Sequence, residues 1–182
     1  MARSSAPVSV VVGNPKVPSR TSAVGVAVAA AAARAGGLNQ LGENVDSPTE
    51  PTVIELAPLG SQLFDWASAA VRSATETLAA SRLAVVATPV YKATYTGLLK
   101  SFLDWFDQTG LSGVTVVPVM VGASAAHALA VEVHLRPLLV EIGASVPTRG
   151  LFILEQELEH LDATLAAWSE EAAPLLIRAL RD

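Results

Sequence analysis

The chain has no cysteine, so neither disulfides nor thiolate metal ligands contribute to it. Charge is also sparse: Asp, Glu, Lys and Arg make up 16% of the 182 residues, and the formal net charge is −5. That balance argues against a nucleic-acid partner, although a few placed cations can still hold an anionic cofactor. No apolar run reaches membrane-spanning length; the longest, Ala23 to Ala33, is alanine-rich and too short. The start, Met1 to Pro7, leads into a short strand without the longer apolar region of a secretory signal. A cytoplasmic protein with no membrane partner is the expectation.

Several catalytic signatures are missing too. The loop after the first strand lacks the Gly-Lys-Ser/Thr ending of a Walker loop and the Gly-x-Gly-x-x-Gly of an enclosed dinucleotide. Gly122-Ala123-Ser124-Ala125-Ala126 approaches a nucleophile elbow, but its closing glycine is absent, which leaves a hydrolase a minor reading. His127 and His134 share a segment that reads as helix, yet no His-Glu-x-x-His pattern exists, and partly buried or interface histidines fit better than a metal site. Glu155, Glu157 and Glu159 read as a solvent-facing patch, and Trp66, Trp105 and Trp168 as residues of helix faces.

What is present is a regular alternation. With 51% hydrophobic residues the chain is not disordered, and its length suits one domain spanning 1–182. Strand-like runs at Val8–Val12, Thr52–Leu56, Leu83–Ala87, Val114–Val121 and Ser145–Phe152 alternate with helix-length segments. The helices are expected to Ala35, from Gly60-Ser61 to Ala80, over Thr96–Phe106, from Ser124 to Ile142 and over Leu158–Leu180. In the second, Leu63, Trp66, Ala70 and Val71 share a face; in the third, Leu99, Phe102, Leu103 and Phe106 form a stripe suited to burial against a second subunit. Residues 36–51 are polar and without periodicity, which predicts a mobile surface loop. The order βαβαβαβαβα predicts a five-stranded parallel sheet covered on both faces, but periodicity alone does not choose between Rossmann and flavodoxin strand orders.

Three loops follow strands and must share one rim, where open α/β sheets bind ligands. The first, Gly13 to Ser22, brings hydroxyls and backbone N–H groups to a helix start beside Lys16 and Arg20, as a terminal phosphate requires. In the second, Pro89-Val90-Tyr91-Lys92 and Tyr95 place planar side chains beside a cation. In the third, Gly122 permits close backbone approach, and amides near Ala123 and Ser124 can donate to an electron-rich ring edge. A flat heteroaromatic ring with a phosphate tail, such as flavin mononucleotide (FMN), suits all three.

These residues resemble the NADPH-dependent FMN reductases of flavodoxin-like fold, closest to the flavin reductases of alkanesulfonate utilisation. Ala87-Thr88-Pro89-Val90-Tyr91-Lys92 with Tyr95, Gly97 to Lys100 and Asp104 looks like that family's flavin loop. Ser19-Arg20-Thr21 is in register with its phosphate signature, and Val121-Gly122-Ala123-Ser124 with its Gly-Gly-Ser turn. Departures are Asn14 and Lys16 for serine and arginine, Ala123 for glycine, and Glu132-Val133-His134 where the sulfonate enzymes carry an inserted tyrosine. The resemblance implies a flavodoxin-like three-layer sandwich, hydride transfer from NADPH or NADH to FMN, and a partner monooxygenase that uses the reduced flavin. It also implies a homodimer or homotetramer. Asn14, Lys16, Ser19, Arg20 and Thr21 would surround the phosphate. Pro89, Val90, Tyr91 and Lys92 would line ribityl and ring, with Gly122 and Ser124 at the ring edge and Arg20 an alternative partner for the 2′-phosphate of NADPH. No side chain is assigned a catalytic acid or base, since the flavin carries the chemistry. Alternatives on the same scaffold are a quinone or azo-type reductase with tightly held FMN, or a non-enzymatic electron carrier.

Overall fold

The three central strands are buried on both faces. In the computed structural model, which describes residues 8–38 and 50–181, β1 (Val8–Val12), β3 (Leu83–Pro89) and β4 (Thr115–Gly122) are buried along their whole length. β2 (Thr52–Glu55) and β5 (Leu151–Leu154) form the edges and are partly exposed. All pairings are parallel, in the order β2-β1-β3-β4-β5. That order belongs to the flavodoxin type of doubly wound sheet and resolves the choice that periodicity left open. The expected loop over 36–51 falls largely on residues 39–49, outside those described.

Two helices cover one face of the sheet and three the other. α1 (Arg20–Ala35) and α5 (Leu161–Ala179) pack on Val8, Val10, Val12, Val85, Val117 and Val119. α2 (Ala69–Ala79), α3 (Gly97–Leu103) and α4 (Arg136–Glu141) pack on Val11, Val86, Val116 and Met120. Gly25 on α1 allows a close approach, since a Cβ there would lie 2.8 Å from Val10 Cγ1. Each fully buried Val or Leu contributes about 1.5–3 kcal/mol to this layering. Buried Ser9 is satisfied by Ser81, whose hydroxyl donates to it at 2.7 Å.

Where helix boundaries depart from expectation, a polar side chain or proline intervenes. Instead of one helix from Gly60 to Ala80, a 3-10 segment (Ala57–Gln62) precedes α2. Asp65 accepts from the Ala67 N–H at 3.0 Å, and Ser68 caps α2, so the chain turns between them. Leu63 and Val71 are buried as expected, but Trp66 and Ala70 are exposed. The segment 124–142 also breaks, into a 3-10 turn (Ala125–His127), a π-helical turn (Val131–Leu135) and α4. Pro137, which lacks an N–H and crowds the carbonyl four residues back, sits at the start of α4, just after the widened turn. His127 and His134 therefore fall on different elements.

The last strand is shorter than 145–152: past Ser145 the chain meets Pro147, which has no N–H to give β4, and Arg136 holds the carbonyls on either side of it. Its guanidinium donates to Val146 O at 2.7 Å and Thr148 O at 2.6 Å, while also pairing with Glu132. Ser145 keeps only an isolated bridge to Thr115. This gap accommodates Pro118 inside β4: the Val116 N–H points across to Ser145 O, so the missing N–H two residues on faces a stretch with no strand opposite. The final helix, expected over 158–180, begins at Leu161 after a 3-10 segment (Glu155–His160).

Candidate functional site

The carboxyl ends of β1, β3, β4 and β5 open onto a cleft of about 350 Å³, within the range of small-molecule sites. It is lined by Asn14, Lys16, Pro18, Ser19, Arg20, Thr21, Pro89, Tyr91, Val121 and Glu155. Of the residues expected to act together, Asn14, Lys16, Ser19, Arg20, Thr21, Pro89 and Tyr91 thus share one cavity. Val90, Lys92, Gly122 and Ser124 do not line it.

The first loop is fixed by its own polar side chains. Asn14 Nδ2 donates to Thr21 Oγ1 at 3.0 Å, and Asn14 Oδ1 accepts from the Lys16 N–H at 2.9 Å. Ser19 caps α1, taking the Ser22 N–H on its hydroxyl at 3.1 Å and the Ala23 N–H on its carbonyl at 3.3 Å. The N–H groups of Arg20 and Thr21 remain at the mouth of the helix, where an α-helix has no internal acceptor for them. A sixteen-residue helix aimed this way adds a partial positive charge. With Lys16 and Arg20, this donor set fits a phosphate.

The second loop is built differently. Tyr91 and Thr94 exchange backbone hydrogen bonds at 2.9 and 3.2 Å around a two-residue turn. Lys92 and Ala93 both have positive φ, 51° and 68°, a conformation that costs residues with a side chain. Tyr91 is left projecting, 45% exposed. Tyr95 is half-buried against the core.

Buried hydroxyls strap the two loops together. Thr96 Oγ1 donates to Gly13 O at 2.6 Å while accepting from the Leu99 N–H at 3.1 Å, and the Thr96 N–H reaches Thr88 Oγ1 at 3.3 Å. Gly13 must be glycine for this approach, since a Cβ there would lie 2.8 Å from that of Leu99. Thr88 and Thr96 did not stand out in the sequence as positioning residues; their signal was a threonine at the end of a buried strand and another at a helix cap.

The third turn departs from the expected arrangement. The space left by the missing Cβ of Gly122 is filled by Phe152 Cζ, 2.7 Å away, and Val90 Cγ2, 3.2 Å away, so the glycine accommodates core side chains. Ser124 is exposed and its hydroxyl caps the following turn at Ala126 N, 3.3 Å away. Val90 holds the second loop to the third through its N–H, which donates to Val121 O at 2.8 Å. Glu155 does not simply face solvent: it reaches the cleft and accepts from Arg20 Nη1 at 2.8 Å. Among the described residues no group of three or more His, Asp or Glu could hold a metal ion.

Fold and cleft together define a doubly wound α/β protein of flavodoxin type, with a rim site suited to a phosphorylated, planar ligand. Comparison with known proteins narrows the class. Residues 7–159 match the family described as NADPH-dependent FMN reductase, and the chain belongs to that family. It is 41% identical over 85 residues to an FMN reductase (NADPH) of Escherichia coli, a match covering 47% of this chain and 44% of that relative. The chain thus spans less than half the length of that curated relative. Over 94% of both chains it is 32% identical to the NADH-dependent FMN reductase SfnE of Pseudomonas putida. The apo crystal structure of an NADH:FMN oxidoreductase, EMOB, superimposes with a TM-score of 0.70 at 26% identity, covering 90% of this chain and 88% of that one.

Proposed function

We propose that this chain is an NAD(P)H-dependent FMN reductase that hands reduced flavin to a partner monooxygenase. The observation that carries this reading is the convergence of the first loop's phosphate donors with Pro89 and Tyr91 in one cleft, in a chain of the FMN reductase family. FMN, when bound, supplies a hydride-accepting N5. The chain's own task is to bind and orient it.

In this reading Asn14, Lys16, Ser19, Arg20 and Thr21 hold the phosphate. Pro89, Val90, Tyr91 and Lys92 border ribityl and ring, and the backbone around Gly122 and Ser124 faces the ring edge. Val90 and Gly122 act through their packing on one another. The exposure of Lys16, Arg20 and Tyr91 leaves the cleft open, which favours FMN as an exchanging substrate over FMN as a fixed group.

A single domain is the simplest unit for this task, acting in the cytoplasm. Among the described residues no helix is long and apolar enough to cross a membrane. A homodimer or homotetramer is part of the proposal, though not through the α3 stripe: Leu99, Phe102 and Leu103 are already buried within the subunit, and only Phe106 is half-exposed. Phe64, Trp66, Leu129 and Val133 supply exposed apolar area instead. Trp66 leans on Trp105, ring centroids 4.9 Å apart, and Trp105 Nε1 donates to Leu63 O at 2.9 Å.

Steady-state oxidation of NADPH and NADH, followed at the nicotinamide absorbance band with FMN varied, tests the reading. Saturable dependence on free FMN is expected. Absence of turnover with either nicotinamide would leave the electron carrier in its place, and turnover independent of added FMN would favour a tightly loaded reductase. Light scattering at micromolar concentration tests the oligomer.

A further inference from the structure

We propose that Glu155 is a built-in competitor for the flavin phosphate, which weakens FMN binding through Arg20 and keeps the flavin exchangeable. This rests on the reading of the first loop as the phosphate site. The charged residues lining the cleft are Lys16, Arg20 and Glu155, so the formal charge facing an incoming anion is reduced from two cations to a net of one. Glu155 comes from the far side of the cleft, at the first position after β5, and spans 135 residues of sequence to reach Arg20 at 2.8 Å.

A phosphate entering among Asn14, Lys16, Ser19 and Thr21 draws on the same guanidinium. Arg20 must then release the carboxylate or share its donors between two anions in one small cavity. Either outcome subtracts from FMN affinity, because the Arg20–Glu155 contact exists before the ligand arrives. The pair is solvent-accessible, with side chains 68% and 43% exposed, so it can exchange readily and its cost is modest. A loop with two unopposed cations would hold FMN more tightly and release it more slowly. An enzyme that delivers flavin to another protein needs the opposite.

The test compares FMN with riboflavin, which has the ring and ribityl chain but no phosphate, using quenching of flavin fluorescence on the full chain. Glu155→Gln is expected to tighten FMN binding about two- to fivefold, the size of an exposed ion pair. Riboflavin affinity stays unchanged, and FMN dissociation measured by stopped flow slows by a similar factor. Added salt should narrow the difference between variant and wild type, as screening does for accessible charges. An unchanged or lowered ratio of FMN to riboflavin affinity in Glu155→Gln overturns the proposal, the lowered ratio showing that the carboxylate holds Arg20 in place for the ligand. If wild-type protein itself binds FMN no better than riboflavin, the phosphate-site reading falls and this inference with it, a failure visible before any variant is made.

Discussion

At the end of the cleft formed by residues 13–22, hydroxyl and amide side chains fix each turn of the chain, Asn14 to Thr21 and Lys16, Ser19 to Ser22. At the end formed by residues 89–95, the chain is fixed by main-chain hydrogen bonds and by two side-chain-bearing residues at positive φ. The first end is organised for charge, and its donors are set before any ligand arrives. The second presents a ring, Tyr91, on a turn held in a costly conformation. A phosphorylated flavin would meet both, so its two halves should respond to different substitutions.

The strongest separation is expected from removing the cations. Lys16→Ala with Arg20→Ala should weaken FMN binding by roughly tenfold or more, the scale of hydrogen bonds to charged groups, while leaving riboflavin nearly unaffected. Equal losses for both ligands would break the comparison. Thr96→Val acts on the tie between the two ends. It removes a helix cap and leaves Gly13 O without its donor, so a stability loss of about 1–2 kcal/mol is expected in thermal or denaturant unfolding. Thr96→Ser should restore most of it. Tyr91→Ala addresses the ring end alone and should weaken FMN and riboflavin alike, by roughly three- to tenfold if the ring stacks as an aromatic pair does.

How much of this was legible in the sequence follows the same division. The central strands could be read because burial on both faces leaves an almost continuous apolar run, broken in β1 only by Ser9, and Val8–Val12 was bounded to the residue. The polar turn at residues 13–22 and its helix cap could be read because such residue types act locally, over seven positions or fewer. Glu155 could not, because what brings it to Arg20 is the placement of β5 at the sheet edge, and strand order is not a local property. Gly122 was legible as a required glycine, but the side chain that fills its Cβ space, Phe152, was not, because it lies thirty residues on. Likewise the α3 stripe showed that the helix is buried on one side without showing what buries it.

The last expected effect is confined to acid and concerns the strand that carries Glu155. Glu132 accepts from Arg136, with which it forms an i,i+4 pair, and from the Gly150 N–H at 2.7 Å, one residue before β5. The hydrogen bond from the Arg136 guanidinium is the main cause that holds the Glu132 carboxyl below its ordinary range, against a smaller opposing effect of burial. A carboxyl with a folded-state pKa lower than its unfolded one adds stability that is fully present above the unfolded value. That stability is lost as pH falls through the folded value. Unfolding midpoints should therefore be flat near neutrality and drop below the usual carboxylate range, and Glu132→Gln should flatten that acid limb while lowering stability modestly at neutral pH. Hydrogen exchange adds the spatial half of the test: on acidification, amides at Gly150 to Leu154 should lose protection before those of α1, so the Glu155 wall of the cleft loosens while the wall built on α1 keeps its structure. Simultaneous loss at both places would show that the clamp stabilises the whole fold and that the two walls are not separable.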